Sequence, residues 1–377
     1  MAKTIVLCGG HLTPALALCE EIQKDRKFQL AYFGRYKALE GDTVPSLEYM
    51  VMKRQRIPFY AIPAERLSRF ITLRNILSFA QLPFSIFVSL YFLLRVRPSV
   101  VISFGGYVAL PVCFAAFLLR IPVVVHEQTH VLGLTNRVVS YFAKLIFLSW
   151  EDTESIPDGV KTIVSGNLLR ESFFADTSTS LLSFGNRRLP ILYVTGGSIG
   201  SQTINRLVEP LIATLCQKFR ILHQCGGSQN SIDYKRLKQM REKLPSATSQ
   251  NYRVVQSIDP GSVGVVLRSA HLVIGRAGAN TVTELLASAT PAILIPLPWA
   301  GGKEQERNAK YLVDLGVAIV LPQKNLSSDT LLEQIERLSV ELEFYKSRFP
   351  KKEQTSLRNA AKNVLNHIST LVLGETT

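Results

Sequence analysis

The sequence predicts an α/β chain of two Rossmann-like doubly wound domains facing a cleft. Three observations carry that prediction. Short continuous apolar runs alternate with helical patterns along the chain, as buried parallel strands and their covering helices do. The two halves also echo each other. Val6-Leu7-Cys8-Gly9-Gly10-His11 lies over Tyr193-Val194-Thr195-Gly196-Gly197-Ser198; each is a β-rich run ending in a glycine pair, and an amphipathic stretch follows (PALALCEEI and QTINRLVEPLI). Finally, 377 residues exceed one ordinary core and suit two domains.

The strand-like runs of the first half are TIVLC, LAYFG, SVVISFG, PVVVH and LIFLSW. A polar stretch, DTSTSLLSFGNRRLP, then separates them from ILYVTGG, RILHQCGG, LVIGRAG, AILIPLP and AIVLP. The domain break is expected between Ile163 and Pro190, with domains at 1–163 and 164–340. The charged stretch from 341 to 377 reads as helices that pack back on the first domain.

Composition narrows the function classes. Hydrophobic residues make up 47% and charged residues 19%, which describes a folded chain and not a disordered one. Lys and Arg outnumber Asp and Glu by 43 to 29, a net charge of +14 that points to an anionic partner. The excess concentrates between Val51 and His126, where Lys53, Arg54, Arg56, Arg66, Arg69, Arg74, Arg95, Arg97 and Arg120 face one acid, Glu65. Inside this block Ile76–Leu94 is an uncharged run of nineteen residues. It reads as a crossover helix with an apolar outer face, as a helix lying on a membrane surface, or as a span; the first two are compatible. Nucleic acid is not expected, because the basic residues interleave with apolar ones and not with exposed stacking aromatics. Five scattered cysteines form no CxxC pair, which favours a reducing cytoplasm over a disulfide scaffold or zinc site. The start lacks the longer apolar core of a signal peptide, so export is not expected.

Three segments carry candidate chemistry. Gly9-Gly10-His11 and Gly196-Gly197-Ser198 each sit where a strand turns into a helix, a place where backbone can approach a phosphate, although a ligand-free turn uses the same glycines. His11 is a candidate base at the carboxyl end of a strand, with a structural histidine as the alternative; Glu127, after PVVVH, is a second proton-transfer candidate. The third segment, Gly275 to Leu285, runs from a strand through a glycine-punctuated loop into a helix expected to start near Asn280 as N-cap. Ala279, Asn280 and Thr281 then offer N–H groups to an anion, and Glu284 suits a sugar diol unless it only complements the helix dipole. DxD and GxxxxGK[ST] are absent, against a metal-bound pyrophosphate and a P-loop nucleotidase.

Taken in order, GGHLTPALA (9–17), FGGYVALP (104–111), IPVVVHEQ…GLTNR (121–137), SGNLLR (165–170), GGSIGS (196–201), RAGANTVTELLA (276–287) and PLPWAGGKEQERNA (296–309) resemble the MurG family of N-acetylglucosaminyltransferases. The resemblance runs from residue 4 to about 340. It implies the GT-B glycosyltransferase architecture, a UDP-N-acetylglucosamine donor, no metal or other cofactor, and inversion at the anomeric carbon. It implies as acceptor the undecaprenyl-pyrophosphoryl-N-acetylmuramoyl-pentapeptide, at the cytoplasmic face of a membrane whose anionic lipids hold the enzyme peripherally. By motif, His11 matches the proposed base. Arg170, Ser198, Ile258, Ala279, Asn280, Thr281, Glu284 and Gln305 match donor contacts, while Gly9, Gly10 and Tyr107 match the acceptor side.

The sequence departs from that pattern around the same places. Leu7-Cys8 precede Gly9 where a glycine and a hydroxyl residue are usual, Thr129 stands where Asn is usual, and Trp299 and Gly302-Lys303 replace a His and an acidic pair. Cys8 and Thr129 therefore join the substrate-binding candidates. A related lipid-linked glycosyltransferase acting on diacylglycerol and a catalytically silent UDP-sugar-binding module are the alternatives.

Overall fold

The computed structural model describes residues 2–37, 45–63, 73–175, 178–197, 199–227, 232–300 and 303–374, with backbone alone over 73–80. The chain divides into two compact units, Met1–Arg170 with Asn359–Thr377, and Glu171–Arg358. The first holds seven parallel strands in the order β3-β2-β1-β4-β5-β6-β7: β1 (Lys3–Cys8), β2 (Phe28–Gly34), β3 (Phe59–Ala61), β4 (Val100–Ser103), β5 (Val123–Glu127), β6 (Leu145–Leu148) and β7 (Thr162–Val164). The second unit repeats the plan with six, β10-β9-β8-β11-β12-β13: β8 (Ile191–Thr195), β9 (Arg220–Gln224), β10 (Tyr252–Val255), β11 (Leu272–Gly275), β12 (Ala292–Leu294) and β13 (Ala318–Val320). Each order reverses once, between β1 and β4 and between β8 and β11. Such a switch point parts two neighbouring loops at the carboxyl edge of the sheet, where open α/β sheets hold ligands.

The helices that matter for function are α1 (Leu12–Lys24), α2 (Leu73–Val96), α3 (Ala109–Leu118), α4 (Leu134–Ser140), α5 (Gln202–Val208), α6 (Ile232–Lys243), α7 (Ala279–Ser288), α8 (Glu304–Asp314) and α9 (Lys351–Leu373). Helix α1 tolerates Pro14 because first-turn N–H groups have no intrahelical partner, and Ala15, Leu18, Cys19 and Ile22 form its buried stripe. The central strands β4, β5, β6, β8 and β11 are buried along their whole length, which is why their sequences are apolar without alternation.

The units part at Arg170/Glu171, seven residues after the expected 163/164 and ahead of the polar stretch. Residues 165–170 stay with the first sheet, where the Ser165 N–H donates to the Leu148 carbonyl at 2.9 Å. The return to the first unit begins at Asn359. There Ala360, Ala361, Val364, Leu365 and Ile368 of α9 join the core built on Ile5, Leu7 and Ile102.

Helix α2 settles part of the charge-block question. Ser85, Ser89 and Leu93 are buried, while Phe84, Phe87, Tyr91 and Leu94 form an exposed stripe on the opposite side. The helix packs on α3, and α3 on α4. Among the described residues no helix is long and apolar enough to cross a membrane, so the spanning alternative for 76–94 is withdrawn. Glu65, Arg66 and Arg69 lie outside the described residues, as does the Arg74 side chain.

Candidate active site

In the first unit the loops after β1 and β4 meet backbone to backbone. The Gly10 N–H donates to the Gly105 carbonyl at 3.0 Å. A Cβ on Gly9, whose φ is +134°, would stand 2.6 Å from the same oxygen, and one on Gly106 would stand 3.2 Å from the Gly10 nitrogen. The glycine pairs therefore serve the close approach of two loops. His11 occupies the N-cap of α1 but does not cap it with its side chain. Instead its Nδ1 lies 2.7 Å from the Phe104 carbonyl oxygen. A carbonyl can only accept, so Nδ1 carries the hydrogen and Nε2 holds the lone pair of the neutral ring. The residue is exposed. An exposed imidazole with a fixed tautomer can accept a proton at Nε2.

Glu127 has another setting. Its Oε1 accepts from the backbone N–H groups of Gln128 (2.9 Å) and Thr129 (3.0 Å) and from the Thr129 hydroxyl (2.8 Å). Its Oε2 accepts from the Gly133 N–H (3.0 Å) and Asn136 Nδ2 (2.9 Å). Five bonds organise the loop from β5 to α4 around this buried carboxylate. Thr129 is spent in the same network, its hydroxyl also lying 2.7 Å from the Val131 carbonyl. Tyr107, half-buried, takes a hydrogen bond from Arg35, whose guanidinium lies 5.0 Å from the ring centroid and also pairs with Glu48. Cys8 is fully buried, with its sulfur in the sheet core 4.0 Å from that of Cys113, so its thiol does not reach the loop surface. Burial raises that thiol's pKa well above the usual range. His126, one residue before Glu127, is fully buried, and burial pulls its imidazole down to about 4. It is therefore neutral at pH 7.

The second unit offers backbone where the first offers a side chain. Helix α7 begins at Ala279 with Gly278 as N-cap, so the expected capping role of Asn280 is corrected. Gly278 has no side chain to bond the first turn. The first N–H to find an intrahelical partner is that of Val282, on the Gly278 carbonyl at 3.0 Å. The N–H groups of Ala279, Asn280 and Thr281 stand before it at the positive end of the macrodipole. Glu284, three residues after Thr281 and four after Asn280, shares their face. Gln305 on α8 is tied through Oε1 to the Leu297 N–H at 3.0 Å. Ile258 is buried just after β10, and Arg170 is half-buried at the end of the first unit. Ser198 and Gly302 lie outside the described residues. Among the described residues no cluster of three His, Cys, Asp or Glu could hold a metal ion.

The other switch-point loop of this unit is tied up. Ser201 caps α5 by accepting from the Ile204 N–H and also accepts from Arg276 Nη2 at 2.7 Å. Buried Arg276 reaches on to the Ile295 carbonyl at 2.9 Å, joining the loops after β8, β11 and β12. The sequence reading gave no separate role to Arg276, Asn136 or Asn308. Asn308 is fully buried, donates from Nδ2 to the Ala277 carbonyl at 3.0 Å, and has no partner for Oδ1 among the described residues. Its spacing of three from Gln305, on one face of α8, was the available signal.

Known proteins match both units. Residues 8–148 match the glycosyltransferase family 28 N-terminal domain and residues 191–364 its C-terminal domain. A Treponema denticola protein named UDP-N-acetylglucosamine–N-acetylmuramyl-(pentapeptide) pyrophosphoryl-undecaprenol N-acetylglucosamine transferase is 32% identical over 88% of this chain and 86% of its own. A Bacillus thuringiensis protein of the same name, numbered 2, is 28% identical over 97% and 99%. The crystal structure of Acinetobacter baumannii MurG superposes with a TM-score of 0.70 at 26% identity, covering 98% of this chain and all of that one. With its two domains matched in order and a relative aligned over most of its length, the chain belongs to glycosyltransferase family 28, in the MurG family of N-acetylglucosaminyltransferases.

Proposed function

We propose that this protein moves N-acetylglucosamine from UDP-N-acetylglucosamine, with inversion, to the muramoyl sugar of undecaprenyl-pyrophosphoryl-N-acetylmuramoyl-pentapeptide, forming lipid II for peptidoglycan. The observation that carries the chemistry is the assigned tautomer of His11. The acceptor hydroxyl attacks the anomeric carbon, its proton passes to His11 Nε2, and the bond to the UDP oxygen breaks with its electron pair leaving on the diphosphate. The N–H groups at the start of α7 bind that diphosphate and stabilise the charge it gains. Glu284 accepts from the ribose hydroxyls, and the Gln305 amide, its oxygen already engaged, has its NH2 left to donate. Arg170, Ser198 and Ile258 complete the donor side; Gly9, Gly10 and Tyr107 serve the acceptor. Glu127 and Thr129 shape the loop that carries them, and Cys8 acts through packing.

A peripheral position at the cytoplasmic face, on anionic lipids, is part of the same proposal. The stripe on α2 is joined by exposed Phe114, Phe117 and Leu118 on α3 and by Leu134, Val138 and Tyr141 at α4. Exposed Arg95, Arg97, Arg120, Arg137 and Lys144 lie on or beside the same elements. Apolar side chains flanked by cations suit an anionic bilayer surface. Radiolabelled UDP-N-acetylglucosamine offered with and without the muramoyl lipid tests the reading. Label should pass to that lipid with release of UDP. Transfer to diacylglycerol instead, or binding without release, would replace it.

A further inference from the structure

The carbonyl that holds His11 belongs to a peptide unit that is itself held, and the holding chain ends on a carboxylate. Phe104 C=O and Gly105 N–H are the two sides of one peptide plane. On the carbonyl side, His11 Nδ1–H donates at 2.7 Å. On the amide side, the Gly105 N–H donates to Ser103 Oγ at 3.1 Å. The Ser103 hydroxyl donates in turn to Asn136 Oδ1 at 3.3 Å, and Asn136 Nδ2 donates to Glu127 Oε2 at 2.9 Å. Every bond in the series runs the same way, from the imidazole toward the carboxylate. Ser103, Asn136 and Glu127 are all buried. Gly105 takes φ +75°, and a Cβ there would stand 3.1 Å from Asn136 Nδ2, so the amide lies against the very peptide it supports.

We infer that Ser103, Asn136 and Glu127 are positioning residues for transfer, a relay of aligned dipoles through which a remote carboxylate fixes the tautomer and aim of His11 and stabilises its protonated form. No proton travels along the chain, because each donor keeps its own hydrogen; the effect is electrostatic and orientational, as for the carboxylate of a nucleophile–His–carboxylate triad, but with a serine, an amide and a peptide bond interposed. The inference rests on His11 being the base. It gives Glu127 work that its five bonds allow, and it explains why Gly105 cannot carry a side chain. His126 on β5 interacts electrostatically with His11, but its burial keeps it uncharged at neutral pH.

Ser103→Ala removes the middle link with little change of volume. It should lower kcat about 10-fold, less than the roughly 10²-fold lower edge for losing a general base because the imidazole itself remains, leave both KM values within about twofold, and move the acidic limb of the kcat–pH profile to lower pH. Asn136→Ala should do the same, and serves if the first variant does not fold, as checked by UDP binding and thermal melting. The decisive arm combines Ser103→Ala with His11→Ala. If the relay acts through His11, the double variant is no slower than His11→Ala alone. An additional full loss of kcat in the double variant, or a raised KM with an unmoved pH profile, would overturn the relay. Near-normal turnover of His11→Ala alone would instead overturn the base assignment, so the two failures are distinct.

Discussion

The turn from β1 into α1 and the turn from β11 into α7 lie on opposite sides of the switch point in sheets of matching order, β1 corresponding to β8 and β11 to β4, and they offer different chemistry. In the first unit, Pro14 removes an N–H from the opening turn of α1, and the N-cap position carries a histidine held by the neighbouring loop. In the second, the opening turn of α7 contains no proline, its N-cap is a glycine, and three successive N–H groups stand before the first intrahelical bond. One turn presents an imidazole; the other presents backbone and a dipole. A doubly wound sheet thus fixes where a ligand is met, while the residue at the helix start decides whether it meets a base or an anion cradle.

The largest effect should come from the side chain of the first turn. His11→Ala should lower kcat by roughly 10²–10⁴-fold, the range for loss of a general base. UDP affinity, which the proposal assigns to the other turn, should change less than about twofold. A variant that loses UDP binding in proportion to kcat would erase the division of labour between the turns.

Each unit also contains a histidine that burial keeps neutral, His126 and His223, and these should make folding acid-sensitive. Burial pulls His126 down to about 4; it pulls His223, held between Tyr252 Oη and Asn205 Oδ1 at 3.0 Å each, down to about 3, with Arg236 adding to the effect. The unfolded chain takes up these protons near pH 6.5 and the folded chain does not. Stability is therefore complete above that pH and is lost as pH falls toward 4 and 3, by roughly 3 kcal/mol or more per site. Urea melts between pH 8 and 4.5 check this: His126→Gln and His223→Gln should each reduce the slope by about 1.4 kcal/mol per pH unit below 6.5. If the slope survives both changes, other groups carry the acid sensitivity.

What the sequence disclosed follows the same physics. Ten strands were legible as apolar runs; nine of them lie between two neighbours and under helices with both faces buried, and the tenth, β13, is an apolar edge strand. The three that were not, β3, β7 and β10, all lie at sheet edges, where Thr162 and Val164 or Arg253 and Val255 alternate with more buried positions and no apolar run develops. At the site, His11 and the α7 segment stood out by residue type at a strand end. Ser103, Asn136 and Arg276 did not, since their hydrogen bonds join residues far apart in sequence, 33 for Ser103 with Asn136 and 75 for Arg276 with Ser201. The start of α7 was read two residues late, because a side-chain cap was expected where Gly278 has no side chain.

A smaller effect separates the backbone of the α7 turn from its carboxylate. Glu284→Gln removes a charged acceptor worth roughly 1.5–3 kcal/mol, a 10- to 150-fold loss of UDP-sugar affinity. The 2′-deoxy nucleotide has already lost one donor to that carboxylate and should suffer much less. Equal weakening of both nucleotides would leave Glu284 only the helix dipole to complement, and the cradle would then consist of backbone alone.

The last comparison distinguishes the units' surfaces, both of which are basic. Helix α6 exposes Lys235, Lys238, Arg241 and Lys243 with Ile232 as its only exposed large apolar residue, whereas α2, α3 and α4 set their cations beside exposed Phe, Leu and Tyr. If charge alone drew the protein to a membrane, either surface would serve. If apolar insertion is needed as well, only the first unit's surface binds. Each Arg near an anionic surface contributes about 1 kcal/mol, so Arg120→Glu with Arg137→Glu should weaken binding to phosphatidylglycerol vesicles by at least about 30-fold at low salt. The paired reversal Lys235→Glu with Lys238→Glu on α6 should change it less than about twofold. Phe87→Ser, which leaves the charge untouched, should weaken binding by a few-fold and persist at high salt, because burial of an aromatic ring is not screened. Equal release by the α6 and the α3–α4 reversals would mean that net charge does the attracting, and the apolar stripe would lose its assigned role.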